Sequence, residues 1–252
     1  GRVIAGLGLK ELPANLRDAT SMQMFESGPC AFSAICQQSL CICLGGAPFA
    51  VFLNGAGVGI PRYQPLMLNA GDRLRCVPGP VGCRLYIAAI PAGETQQSAP
   101  FRSQSGAWDW VAEDDALRVL EGPEPDGLTH ALSSPWRLRV DSNEMGIRLA
   151  PASGSQQIPQ VDFDIESSPT QDGVLQLTPD GLIALMRHRG TLGGYPRIAT
   201  IVGPDIDRMA QMQPGQMVRF RLVDMATAAA AHDLQQQTFQ RLTGYSMTGL
   251  GW

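Results

Sequence analysis

The chain has 252 residues, 44% of them apolar, enough for one large domain or two small ones. Charged residues make up 17%, below the roughly 25% of an average soluble protein, and the net charge is −4. Lys10 is the lone lysine, which excludes a P-loop lysine further along, a Schiff-base lysine and a lysine-rich nucleic-acid face.

In chain order the first signals are cysteines: Cys30, Cys36, Cys41, Cys43, Cys76 and Cys83 all fall in the first third. They lack Cys-x-x-Cys spacing and nearby histidines, so no metal site is expected. No run approaches the ~18 apolar residues of a membrane helix, and no signal-peptide core stands out. These features predict a cytoplasmic protein with reduced thiols and neither membrane nor nucleic acid as a partner.

Ser39–Leu44 is apolar enough for a strand buried on both faces, and Ala50–Leu53 follows with Asn54-Gly55 as a type I′ hairpin turn. Asn69-Ala70-Gly71-Asp72 is a second turn, feeding the alternating strand Arg73–Cys76. Arg84–Ile90 reads as a strand, Ala92–Ser105 as a polar loop, and Asp109, Glu113, Asp114 and Asp115 as a solvated acidic stretch. Trp136–Val140 alternates as a half-buried strand, and Ser153–Gln160 reads as another loop. Pro204–Met212 carries a first-turn proline and predicts a short helix, while Ala226–Leu242 predicts a longer one ending near Gly244. Glycine and proline, 28 and 19 in number, punctuate short apolar segments throughout, as in an all-β protein.

A faint internal repeat runs through these elements. Leu68–Cys76 matches Met212–Phe220 in turn chemistry and alternation, and Met24–Pro29 echoes Val119–Pro123. Two related β-barrels in tandem would produce this pattern.

Three segments of the second half carry a specific pattern. Ser142-Asn143-Glu144-Met145-Gly146-Ile147-Arg148-Leu149 comes first, then Gly173-Val174-Leu175-Gln176-Leu177-Thr178-Pro179-Asp180-Gly181. The third is Gly190-Thr191-Leu192-Gly193-Gly194-Tyr195-Pro196-Arg197-Ile198-Ala199-Thr200. Together with Asp205, Ala210-Gln211, Pro214-Gly215 and Val218-Arg219-Phe220, they resemble the allophanate hydrolase subunit 2 family. That family includes the C-type subunit of 5-oxoprolinase and the carboxyltransferase portion of urea carboxylase.

The resemblance implies a mainly β fold of two tandem cyclophilin-like β-barrels with few short helices and a C-terminal helix. On it, residues 1–117 are expected to form the first barrel, 118–225 the second, and 226–252 the helix and tail. It implies a subunit of an ATP-dependent amidohydrolase complex with a B-type partner protein, similar to allophanate hydrolase subunit 1. The substrate would be a small-molecule lactam or ureido amide. The chain alone would bind no cofactor, ATP entering only in the complex. The alternatives are a biotin-dependent carboxyltransferase component and a non-catalytic interaction subunit.

Arg148, Tyr195 and Thr191 are the expected catalytic residues, and Asn143, Gln176, His188, Gly193 and Gly194 the expected substrate-binding ones. Arginine suits bidentate carboxylate recognition, so Arg148 and Asn143 would converge on one carboxylate. An ion pair with Asp162 or Asp164 is the other reading of Arg148. Gly193-Gly194 would bring backbone amides to an anion, or else form a tight turn needing positive φ. His188 invites a general-base role, against the plainer reading of an exposed strand-end histidine; His130 and His232 read as surface residues, Asp141 and Asp180 as turn caps. The sequence departs from the family at His188, Gly190 and Leu192, where aspartate, glutamine and threonine are usual, and at Glu144 in place of arginine. Neither the family's T-T-V-Q-D-x-G-R stretch nor its G-A-M-D loop occurs in Leu9–Thr20.

Overall fold

A computed structural model describes residues 23–28, 30–59, 65–80, 82–92, 116–153 and 157–243. The expected acidic stretch at 109–115, residues 9–20 and most of the loop at 92–105 lie outside them. The chain divides into two compact units, one of Gly1–Trp108 with Gln236–Trp252 and the other of Asp109–Gln235.

The described strands of the first unit are β1 (Gln23–Ser27), β2 (Phe32–Ile35), β3 (Leu40–Gly46), β4 (Ala50–Leu53), β5 (Ala56–Val58), β6 (Pro65–Leu68), β7 (Arg73–Val77) and β8 (Leu85–Pro91). They form two four-stranded sheets, ordered β1-β8-β3-β6 and β2-β7-β4-β5. Asn54 and Gly55 both have positive φ, 52° and 87°, as the type I′ turn between β4 and β5 requires. Ile42, Leu44, Leu68, Leu74, Cys76, Leu85 and Ile87 pack as one core. Strand β3 is not buried on both faces as expected. Ile42 and Leu44 point inward, and the alternating Cys41 and Cys43 are only half-buried on the other side. All six cysteines are free thiols, and burial pushes Cys43 and Cys76 up to about 11.

The second unit closes. Its strands are β9 (Ala116–Glu121), β10 (Trp136–Leu138), β11 (Gly146–Pro151), β12 (Ser168–Pro169), β13 (Val174–Thr178), β14 (Gly181–Leu185), β15 (Leu192–Gly193), β16 (Arg197–Ile201) and β17 (Met217–Leu222). Seven of them form a closed barrel in the order β10-β11-β14-β13-β16-β9-β17, and β12 with β15 makes a separate two-stranded ribbon. A parallel ladder between β9 and β17, with Arg219 opposite Ala116, completes the closure. Strand β9 runs continuously across the boundary expected at 117–118. Inward positions alternate as the pleat demands: Leu117 and Val119, Trp136 and Leu138, Ile147 and Leu149, Leu175 and Leu177, Val218 and Phe220.

Among the described residues three helices accompany the barrel. Helix α1 (Leu128–Ser133) was not foreseen; six residues with no first-turn acid give sequence patterning little to show. Its carbonyl at Ala131 accepts the buried indole N–H of Trp136 at 3.0 Å, and His130 stands edge-on to that ring, 5.9 Å between centroids. His130 is therefore a packing residue rather than the surface histidine expected. Helix α2 (Gly203–Ala210) opens on Pro204 as read, and α3 (Met225–Thr243) covers the long predicted helix. Asp224 caps α3 by accepting the Thr227 N–H at 2.8 Å, and Ala228 and Ala231 pack against Val202 and Leu120.

The repeat is visible bond by bond. In the first unit Cys36 N–H donates to Asp72 O (2.9 Å), Gly71 N–H to Cys36 O (2.8 Å) and Asp72 N–H to Asn69 O (3.1 Å). In the second, Leu138 N–H donates to Gln216 O (2.9 Å), Gly215 N–H to Leu138 O (2.8 Å) and Gln216 N–H to Gln213 O (3.1 Å). Asp72 and Gln216 each reach back to accept the N–H three residues earlier, both at 2.7 Å. Gly71 and Gly215 share a left-handed backbone, φ 90° and 88°.

Candidate functional site

The three signature segments converge on the outer face and one rim of the closed barrel. Arg148 pairs with Ile183 across β11·β14, Ile183 with Gln176 across β13·β14, and Gln176 with Arg197 across β13·β16. Paired residues face the same side of a sheet, so these four form one row on the outside of the barrel. Arg148 lies between buried Ile147 and Leu149 and is itself exposed, its side chain 48% accessible.

The third segment lies over β13. The ribbon pairs Gly193 with Ser168, Gly194 O accepts from Ile165 N–H (3.1 Å), and Leu177 N–H donates to Pro196 O (3.0 Å). Gln176, buried under this cover, donates from Nε2 to the Tyr195 carbonyl at 3.3 Å. Neither Gly193 nor Gly194 has positive φ, so the tight-turn reading fails. Gly193 lies close over Gln176 instead: a Cβ there would sit 2.5 Å from Gln176 Nε2, so a larger residue would push that amide aside. The Tyr195 ring is left 41% exposed and Thr191 is exposed.

The rim is built from two facing turns. Met186 N–H donates to Met145 O (2.9 Å) and His188 N–H to Glu144 O (3.2 Å), extending the β11·β14 ladder past its end. Asn143 does not converge with Arg148 on a carboxylate. Its Oδ1 accepts from the N–H groups of Met145 (2.9 Å) and Gly146 (3.3 Å), shaping the turn as an Asx motif. Arg148 pairs with neither Asp162 nor Asp164; its Nε lies 4.0 Å from Asp141 Oδ2. Asp141 is held mainly by Arg139, at 2.9 and 2.8 Å, and that hydrogen bonding keeps its carboxyl below the usual carboxylate range. It is an ion-pair partner rather than a turn cap.

Sequence reading missed Asp172. It accepts from Arg187 Nη1 at 2.8 Å and from Arg189 Nη1, drawing both neighbours of His188 to one carboxylate. Thr170 adds Oγ1–H to Gly190 O (2.6 Å) and N–H to Thr191 O (3.0 Å). The loop carrying His188, Thr191 and Gly193 is thereby stitched to residues 170–173, while His188 itself is left exposed. The missed signal is the spacing of opposite charges at 172, 187 and 189, which only the hairpin between β13 and β14 brings together. Two further clamps attach covering elements. Asp205 of α2, wholly buried, accepts from Arg118 Nε (2.9 Å) and Nη2 (2.8 Å), and Glu124 binds Arg197 through Nε (2.8 Å) and Nη2 (2.6 Å).

Among the described residues no group of three or more His, Cys, Asp or Glu could hold a metal ion, and no helix is long and apolar enough to cross a membrane. Arg148, Tyr195 and Thr191 are left accessible, and all three can donate hydrogen bonds to a negatively charged small molecule.

A family model for the carboxyltransferase domain, subdomains A and B, matches residues 88–222. The C-type subunit of 5-oxoprolinase from Escherichia coli (strain K12) is 36% identical over 191 residues, which are 73% of this chain and 54% of that protein. The chain thus spans about half the length of that relative. Its counterpart in the 5-oxoprolinase of Haemophilus influenzae is 27% identical over 230 residues, 77% of this chain and 72% of that protein. The crystal structure of K. lactis urea amidolyase superposes with a TM-score of 0.68 at 16% identity, covering 86% of this chain and 16% of that one. At that identity the likeness shows the mainly β fold alone.

Proposed function

Since the chain belongs to the family of the carboxyltransferase domain, subdomains A and B, we propose that it is one subunit of an ATP-dependent amidohydrolase complex. In this reading it resembles the C-type subunit of 5-oxoprolinase and acts with a B-type partner protein. The substrate is a small lactam or ureido compound bearing a carboxylate. ATP enters as a co-substrate of the assembled complex. The carbonyl oxygen takes the γ-phosphoryl group and ADP leaves; water adds to the carbon and the C–N bond breaks, leaving an acyl phosphate and the free amine, and a second water hydrolyses the acyl phosphate to carboxylate and phosphate.

One observation supports this reading: three signature segments far apart in sequence are joined through the β11·β14 and β13·β14 registers and the Gln176–Tyr195 hydrogen bond. Arg148 would hold the substrate carboxylate in its exposed fork. The hydroxyls of Tyr195 and Thr191, with the amides near Gly193 and Gly194, would donate to the oxygen where negative charge gathers. Gln176 would keep the Tyr195 segment in place from below, and Asn143 and His188 would edge the substrate from the rim.

A second reading, a non-catalytic interaction subunit, is favoured by Leu192. It stands 62% exposed where the family has a hydroxyl donor.

Co-expression with a B-type partner protein, followed by an assay of ATP-dependent 5-oxoproline opening, separates the two. The chain alone should show no turnover. In the active complex Arg148→Ala and Tyr195→Phe should each lower the rate at least ~10-fold. An unchanged rate would refute the site; a stable but inactive complex would support the interaction subunit. Capture of a biotin carboxylase instead would point to a carboxyltransferase component.

A further inference from the structure

Among the described residues, the outside of the closed barrel is covered unevenly. Over β9 and β16 lie α2, clamped through Asp205, and α3, packed through Ala228 and Ala231. Over β13 lies the β12·β15 ribbon, and every residue of β13 is buried. On β10, β11 and β17, by contrast, Arg137, Arg148 and Arg219 stand exposed between buried inward neighbours, and Met217 is exposed beside buried Val218.

The registers place these residues together. Arg137 pairs with Ala150 on one side and with Met217 on the other. Arg148 and Arg219, each two residues further along, are therefore its diagonal neighbours, roughly 7–8 Å away. Like charges at that spacing repel one another. Elsewhere the barrel neutralises its arginines: Asp205 takes Arg118 and Arg208, Asp172 takes Arg187 and Arg189, and Glu124 takes Arg197. Among the described residues Arg137 and Arg219 have no ion-pair partner, and Arg148 reaches only an oxygen, 4.0 Å off, that Arg139 already holds at 2.8 Å.

We propose that this row on β10, β11 and β17 is the docking face for an acidic surface of the partner protein. The row runs over three neighbouring strands, beyond the reach of one small molecule at Arg148, so its complement is a broad surface. Arginine and methionine are the residues enriched at protein interfaces, where lysine is depleted, and Met217 is 43% exposed between the two unpaired arginines. A chain of net charge −4 is poorly suited to a nucleic acid, which leaves an acidic protein as the matching partner. Because Arg148 belongs to both the row and the candidate site, docking here would set the partner beside the substrate. The inference rests on the reading of the chain as part of a complex, given above.

The test measures affinity for the B-type partner protein by titration of the two separately purified chains. Arg137→Glu with Arg219→Glu should weaken binding at least ~100-fold, and the milder Arg137→Gln with Arg219→Gln about 10-fold. Raising salt from about 0.05 to 0.5 M should weaken the wild-type complex but hardly change the reversed variant. Arg73→Glu with Arg75→Glu, the same charge change on exposed β7, should leave affinity unaltered. Equal weakening by both pairs would overturn the proposal, as would unchanged affinity of the Arg137/Arg219 variants. A lowered melting temperature of the isolated reversed chain with wild-type affinity would assign the row to an acidic run of the chain itself, and would also overturn it. If the wild-type proteins fail to associate at all, the reading as part of a complex falls and takes this inference with it.

Discussion

The two units share a turn and part company over closure. Asn69–Asp72 and Gln213–Gln216 make the same four hydrogen bonds within 0.1 Å of one another, and each launches a strand that pairs antiparallel with β2 or β10. Yet β7 goes on to pair with β4 inside a four-stranded sheet, whereas β17 pairs in parallel with β9 and shuts a barrel. A local motif thus sets how a strand starts. Its second neighbour is decided by elements far away in sequence. In the second unit those elements are fastened by arginine clamps: α2 through Arg118–Asp205, the rim loop through Arg187 and Arg189 on Asp172, and the stretch after β9 through Glu124–Arg197.

The largest expected effect breaks that contrast at its most buried point. Asp205→Ala would leave Arg118 and Arg208 facing each other without their carboxylate, at a cost of about 3–5 kcal/mol. Chemical denaturation should show the loss, with the near-ultraviolet signal of Trp136 in the barrel core reporting it. A loss below about 1 kcal/mol would mean that the clamp does not fasten α2.

A smaller effect sharpens the likeness. Gly71→Ala and Gly215→Ala meet no atom within 4 Å of the added methyl, so the cost of each comes from forcing a left-handed backbone on alanine, about 1–2 kcal/mol. The two costs should agree within about 0.5 kcal/mol. A marked inequality would show that the shared geometry hides different local strain.

The smallest effect is a pH dependence of one clamp of the second unit. Hydrogen bonding from Arg197 holds the Glu124 carboxyl below its usual value. Its contribution to stability is therefore complete above the ordinary glutamate pKa of about 4.3. It is lost as pH falls through the lowered one. Glu124→Gln should lower the melting temperature at pH 7, and wild type and variant should converge below about pH 3. A difference that persists unchanged into acid would dissociate Glu124 from the clamp.

Much of this architecture is written locally. Alternation in Arg73–Cys76 and Trp136–Leu138, the Asn54-Gly55 pair, Pro204 at a helix start and the alanine-rich run after Met225 each commit a few residues to a strand, turn or helix. Backbone sterics and side-chain period need no distant partner to do so. The turn repeat and the three signature segments were legible for the same reason, since each is a contiguous string. Pairings between distant residues were not. Arg148 finds Asp141 rather than Asp162 or Asp164, Asp172 gathers two arginines, and Gly193 comes to lie over Gln176. Val140, which continues the alternation of β10 in sequence, ends 87% exposed in the turn where Ser142 ties Arg139 to Arg148. By itself the sequence determined the elements, their turns and the segments bearing chemistry. The closed barrel, its ion-pair partners and the arginine row on its outer face arose only when strands distant in the chain came into register. A charge or a Cβ is constrained by whatever lies across the sheet, and that neighbour is chosen by topology.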